Sequence, residues 1–233
     1  DDGLRMLVLA RRAKRFGFEL SRMPADDSLL IEDLAFNALL VAANGALREL
    51  ADTVGVALDP DLVSRMDRTA TAMAELWDDE TGQYYCRHVG RGELIRSPTV
   101  ATFLPLVATP VTADRRRRLV GLLTDPSSYG AAFPVPSVPL TAPEFEADRY
   151  WKGPTWINMN WLIITALEHL GEDALADSLR AHTLGLVERS GCMEYFSAVT
   201  GEGLGAPDFS WTAALTLDLV ASSAARANPP DGS

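Results

Sequence analysis

Glu194 lies in Gly191-Cys192-Met193-Glu194-Tyr195-Phe196, a carboxylate set among apolar and aromatic neighbours. Upstream of it, Tyr150 to Trp161 reads Tyr-Trp-Lys-Gly-Pro-Thr-Trp-Ile-Asn-Met-Asn-Trp. Here four large aromatics and a Gly-Pro turn stand at the mouth of an apolar helix. Sugars present apolar C–H faces and a rim of hydroxyls. Pockets that hold them pair aromatic walls with a few placed amide or cationic groups. Together the two segments offer what a sugar site needs: walls, polar donors, and a carboxylate that can move a proton when held within hydrogen-bond reach of water. Tyr150, Trp151, Lys152, Gly153, Trp156, Tyr195 and Trp211 are the candidate substrate-binding residues, and Glu194 is the candidate catalytic one.

Each of these residues also has a plainer reading. Glu194 can be a structural ion-pair partner, since most glutamates do nothing catalytic, and an isolated tryptophan is usually core. Trp161 falls inside the helix and is read as core. Trp151 and Trp156 flank the Gly-Pro loop, where a site belongs. Gly153 suits a close backbone approach or a turn that a Cβ would block. Lys152 can contact a substrate carboxylate or lie along the surface, and both readings stay open. Asp33 and Asp208 read as helix-start carboxylates, and Asp148 is held in reserve as a site residue. His88, His169 and His182 show no ligand spacing and suit surface or capping roles. No metal site and no cofactor are expected.

The elements that must position these groups are mostly helical. Apolar periodicity predicts helices over Leu4–Arg15, Ser28–Val54, Asp59 to about Leu76, Pro98–Leu106, Thr112–Leu123, Pro154–Leu170, Asp173–Glu188 and Asp208–Ala225. The Pro154–Leu170 segment is apolar nearly all round, which predicts burial on every face. Tyr84–Val89 and Glu93–Arg96, around Gly90-Arg91-Gly92, predict a β-hairpin. Pro134, Pro136, Pro139 and Pro143 bar a helix between Tyr129 and Glu144. Trp77…Thr81-Gly82 and Phe196…Thr200-Gly201 echo each other, as helical hairpins repeated around an axis would. The expectation is an all-α toroid of paired helices whose loops at one end build the site.

The balance of 32 acidic against 21 basic residues sets a net charge of −11. That argues against nucleic acid or an anionic membrane as partner, since both need clustered Lys and Arg. The Arg115–Arg118 run reads as a solvated helix face. No apolar stretch has the length of a membrane span, and no signal-peptide pattern is visible. Cys86 and Cys192 lack metal or redox spacing, so the expectation is a reduced, cytoplasmic protein. A homo-oligomer is left open. The chain begins Asp1-Asp2-Gly3-Leu4 without Met. It is expected to be a processed product, a fragment, or part of something longer. Residues 228–233, with Pro229, Pro230 and Gly232, are expected to form a flexible tail.

Several ordered motifs resemble glycoside hydrolase family 63. Arg149-Tyr150-Trp151-Lys152-Gly153-Pro154-Thr155-Trp156-Ile157-Asn158-Met159-Asn160-Trp161 is similar to that family's R-Y-W-R-G-P-V-W-x-N-x-N-W/Y, with Lys152 in place of the usual Arg. Glu194-Tyr195-Phe196 followed by Thr200-Gly201-Glu202-Gly203 is similar to E-Y-F-x-x-x-T-G-E-G, and Asp208-Phe209-Ser210-Trp211-Thr212-Ala213 to the closing D-F-S-W-T-A. Ser97-Pro98-Thr99, Phe103-Leu104-Pro105-Leu106 and Phe133 to Val138 also fit. Within the family the bacterial mannosylglycerate and glucosylglycerate hydrolases are the nearest resemblance. The aromatic-Pro-Asn-Gly-Trp signature of trehalases, which share the barrel, is missing.

The resemblance implies an (α/α)6 barrel, with residues 1–227 as the C-terminal part of a single glycosidase domain. It implies an inverting α-glycosidase acting on a small glycosylated acid such as glucosylglycerate or mannosylglycerate; retention is not expected. It makes Glu194 the general base. The general acid, an Asp, belongs to the family's N-terminal half, and no segment here matches it. The alternatives are an α-glucosidase of the same family acting on a di- or oligosaccharide, and a non-catalytic sugar-binding fragment.

Overall fold

The computed structural model describes residues 2–108 and 111–227; the tail predicted at 228–233 lies outside the described residues. Helices α1 (Asp2–Arg15), α2 (Leu34–Val54), α3 (Pro60–Met73), α4 (Pro105–Ala108), α5 (Ala113–Thr124), α6 (Ile157–His169), α7 (Asp173–Ser190) and α8 (Ser210–Ala227) make up most of it. Every second helix belongs to one row: α2 packs on α4, α4 on α6 and α6 on α8. Helices α3 and α7 pack behind that row, on α2 and on α6 and α8. This alternation of inner and outer helices is the arc of a toroid. Its core runs from Leu34 and Ala38 through Phe103 and Leu104 to Ile163, Ile164, Leu167 and Leu219.

Where predicted and observed ends differ, the cause is local. The helix expected from Ser28 starts at Leu34, because the Asp33 side chain accepts the Phe36 N–H and sets the N-cap. Just before it, Ile31–Glu32 (β1) pairs with Cys86–His88 (β4), which also pairs with Leu94–Ile95 (β5) in the predicted hairpin. His88 is buried there and its Nδ1 accepts the Arg91 N–H, a capping role. The Pro98–Leu106 helix splits into a 3-10 turn at Val100–Phe103 and α4. Pro105, which has no N–H to donate, starts the second piece. Helix α8 begins at Ser210 rather than Asp208, whose backbone is left-handed (φ 53°). Asp208 therefore stands outside the helix.

Two further readings change. Helix α6 is not buried all round: Asn158, Trp161, Leu162 and Thr165 are half-buried, and Trp161 Nε1 donates to Asp218 Oδ2 on α8 at 2.6 Å. In the Arg115–Arg118 run only Arg117 is exposed, and the other three are half-buried. Arg115 lies 5.0 Å over the Trp77 ring, and Arg118 donates to the Asp79 carbonyl at 2.8 Å. The stems and planes of arginine cover aromatic surface well, so a basic run on a helix need not be a free face.

The echo between the two Thr-Gly loops is structural. Trp77–Asp78 (β2) pairs with Gln83–Tyr84 (β3), and Tyr195–Phe196 (β6) pairs with Gly203–Leu204 (β7). Gly82 and Gly201 turn both hairpins at φ 72° and 71°, and each donates its N–H to the carbonyl four residues back. Each hairpin follows an outer helix, α3 or α7, so one device recurs along the arc.

Candidate functional site: an aromatic stack beside Glu194

Three segments meet at one end of α6. The Pro-rich loop, the Gly153–Thr155 stretch and the hairpin β6–β7 form a short ladder: Pro136 pairs with Thr155, Thr155 with Phe196, and Phe196 with Gly203. Thr155 is fully buried, and its hydroxyl donates to the Phe133 carbonyl at 2.6 Å. The engagement of Thr155 in this ladder is why α6 starts at Ile157 rather than at Pro154, with Trp156 as an extended N-cap. Asn160, on the first turn of α6, is fully buried as well. It accepts the Val135 N–H at 3.0 Å and donates to the Pro134 carbonyl and to Thr183 Oγ1, both at 2.9 Å. These bonds satisfy the buried amide and fix the Pro-rich loop against the helix.

The ladder builds an aromatic stack. Trp151 and Trp156 lie parallel, ring centroids 4.0 Å apart at 3°, and Trp156 and Tyr195 stack at 4.9 Å and 26°. Tyr150 stands edge-on to Trp151, Trp156 and Tyr195. Its left-handed backbone (φ 40°) lets the Tyr150 carbonyl accept the Trp156 indole N–H at 3.1 Å. Trp156 is 3% exposed, with both faces covered by its neighbours. Trp151 and Tyr150 are the open rings, 38% and 51% exposed.

Lys152 and Arg149 both pair with Glu146, at 3.6 and 2.7 Å. Glu146 also donates its N–H to the Lys152 carbonyl, closing the loop 146–152 on itself. Gly153 is buried where the chain crosses: a Cβ there would stand 2.3 Å from the Glu146 carbonyl oxygen. Its N–H donates to Ser137 Oγ at 2.8 Å. The close approach that calls for glycine at Gly153 is thus to its own loop.

Glu194 is half-buried, next to Tyr195 at the edge of the stack. Its Oε2 accepts the Ala206 N–H at 3.2 Å, and its own N–H donates to the Ala206 carbonyl at 3.0 Å. Burial, and then the Glu194 carboxylate, push the Tyr195 hydroxyl above its ordinary pKa, so it stays a neutral donor. Trp211 is 51% exposed on the first turn of α8. It does not join the stack but is tethered beside Glu194, since Thr212 Oγ1 donates to the Met193 carbonyl at 2.8 Å. Asp148 is not brought into the stack; it lies on the loop closed by Glu146 and Lys152.

Thr155, Asn160, Gly205 and Ala206 were not singled out from sequence. The alternate glycines Gly201, Gly203 and Gly205 were a usable signal, because each lies against a side chain of the site region: Phe133, Met193 or Glu194. Among the described residues no three His, Cys, Asp or Glu side chains gather as metal ligands, and no helix is long and apolar enough to cross a membrane.

Residues 5–212 match the family model described as the mannosylglycerate hydrolase MGH1-like glycoside hydrolase domain. A mannosylglycerate hydrolase of Thermus thermophilus is 37% identical over 93% of this chain and 52% of its own length. A glucosylglycerate hydrolase of Mycolicibacterium hassiacum is 30% identical over 93% of this chain and 50% of its own. The crystal structure of the GH63 mannosylglycerate hydrolase from Thermus thermophilus in complex with glucose superposes with a TM-score of 0.80. It is 36% identical to this chain and covers 94% of it and 51% of the solved one. The chain therefore spans about half the length of the curated relatives it matches, and its helical arc is part of their (α/α)6 barrel. The chain belongs to the mannosylglycerate hydrolase MGH1-like glycoside hydrolase family.

Proposed function

We propose that the complete protein carrying this chain is an inverting α-glycosidase of a small glycosylated acid, mannosylglycerate or glucosylglycerate. The observation that carries this reading is the stack Trp151–Trp156–Tyr195 ending beside Glu194. Names of relatives supply the substrate candidates. In this mechanism a carboxylic acid from outside the chain protonates the glycosidic oxygen. Glu194 takes a proton from water as the water attacks the anomeric carbon from the opposite face, and a β-anomeric sugar leaves with the free acid. Inverting pairs of carboxyls stand about 6.5–9.5 Å apart to admit that water. The open face of Trp151 and the ring of Tyr150 receive the sugar, while Trp156 supports them from beneath. Lys152, 3.6 Å from Glu146, is the candidate cation for a substrate carboxylate.

The domain reading is that residues 1–227 are one part of a single barrel. The two ends of the inner row carry exposed apolar side chains: Phe36 and Leu50 on α2, Leu217 and Val220 on α8. Unpaired apolar faces at both ends of an open arc are what an incomplete ring leaves. No described helix is long and apolar enough to cross a membrane.

The test is hydrolysis of mannosylglycerate, glucosylglycerate and trehalose by the complete protein, with the product anomer followed by NMR and Glu194→Ala in parallel. Initial release of β-anomer from one α-linked substrate, lost in the variant, is expected. Initial release of α-anomer overturns inversion, and cleavage of trehalose alone overturns the acid-bearing substrate.

A further inference from the structure

We infer that Gly205 and the Ala206 amide are the positioning element for Glu194, an inference that rests on Glu194 being the base. The Glu194 side chain has three rotatable bonds, so a half-buried carboxylate without a partner would sweep a wide arc. Two observations remove that freedom. The Ala206 N–H takes Oε2 at 3.2 Å, while the Ala206 carbonyl takes the Glu194 N–H at 3.0 Å, so one residue grips both the backbone and the carboxylate. Gly205 makes room for the grip: its φ is 74°, and a Cβ there would stand 2.6 Å from Oε2, 2.7 Å from Tyr195 Cε1 and 2.8 Å from Glu194 Cβ. The missing side chain is thus the space filled by the carboxylate and by the outer ring of the stack. Oε1 has no hydrogen-bond partner among the described residues. With Oε2 held, Oε1 is the oxygen presented to water, and a carboxylate fixed before substrate arrives need not be ordered during the reaction.

The experiment compares Gly205→Ala, Ala206→Pro and Glu194→Gln with Gly171→Ala in the complete protein, using mannosylglycerate and glucosylglycerate. Gly171 has the same left-handed backbone (φ 72°) but open space around it, so its variant reports backbone strain alone. Gly205→Ala is expected to lower kcat about a hundredfold and Ala206→Pro about tenfold, with KM little changed in Ala206→Pro, since only Gly205→Ala also presses on the Tyr195 ring, and with Gly171→Ala at the wild-type rate. Both site variants turning over like Gly171→Ala, with Glu194→Gln inactive, overturns the positioning role and leaves the base in place. A fully active Glu194→Gln overturns the base itself. Should the site variants fail to fold, the Ala206 amide proton decides. Its NMR shift is expected to move upfield in Glu194→Gln, and an unmoved shift overturns the grip.

Discussion

Thr155 and Phe196 exchange both of their backbone hydrogen bonds, at 2.7 and 2.9 Å. The exchange brings the next residue of one segment, Trp156, against the preceding residue of the other, Tyr195, with ring centroids 4.9 Å apart. Distant parts of the chain thereby become one wall. Helix α6 cannot start before this pairing ends, so the same two bonds set the helix boundary, the stack and the placement of Glu194 two residues before Phe196.

Replacing Glu194 by Ala in the complete protein is expected to lower kcat by about 10²–10⁴-fold, the usual contribution of a general base. Substrate affinity should change little, because the stack is untouched. Steady-state kinetics check both, and a near-normal kcat would rule out the base role.

Trp156 and Trp151 should behave differently despite their parallel rings. Trp156 is buried between two rings, so Trp156→Ala is expected to cost about 3–5 kcal/mol of stability, together with substrate binding and turnover. Trp151→Ala removes an open ring and should weaken binding by about 0.5–1.5 kcal/mol with little loss of stability. Denaturant melts and KM values for the pair separate support from contact.

Thr155→Val keeps shape but leaves the part-buried Phe133 carbonyl without its hydroxyl donor. The expected loss is about 1–3 kcal/mol. Thr155→Ser, which keeps the hydroxyl, should recover most of it. Equal stability of the two variants would show that the hydrogen bond contributes nothing.

The 233-residue chain alone is expected to hydrolyse none of these glycosides, because its arc holds the proposed base, Glu194, without an identified acid. A sensitive assay of the isolated chain checks this, and measurable turnover would place the acid within these residues.

Asp78 gives a pH dependence with a definite sign. The Arg96 guanidinium, hydrogen-bonded at 3.0 and 3.2 Å, holds its carboxyl below the ordinary value of 3.8, despite burial pulling the other way. A lowered folded pKa means stability that is present above the unfolded value and lost as pH falls through the folded one. Acid melts should therefore show a loss starting below about pH 4 that Asp78→Asn reduces. An identical acid limb in the variant would remove Asp78 from the account.

The helical class, most helix positions, the hairpin around Gly90–Gly92 and the family motifs are legible along the chain. These rest on local rules: apolar spacing, caps at Asp33 and Thr112, and prolines that bar a helix. The aromatic segment was legible as large aromatics clustered along the chain, and Glu194 through its resemblance to the family's E-Y-F motif. Their arrangement comes from long-range packing. Trp156 reads from sequence as a sugar contact, and the fold makes it the buried middle of a stack. Arg115 reads as solvated and instead covers Trp77. Ala206 carries no distinctive chemistry until the chain folds it onto the carboxylate, and the glycine spacing that includes Gly205 does not say what each glycine approaches. Long-range pairing such as Thr155 with Phe196 depends on backbone groups that every residue possesses, so no residue type announces it. Only the packing of α6 against α7 and α8, with the Pro-rich loop fixed by Asn160, brings those groups within hydrogen-bond reach.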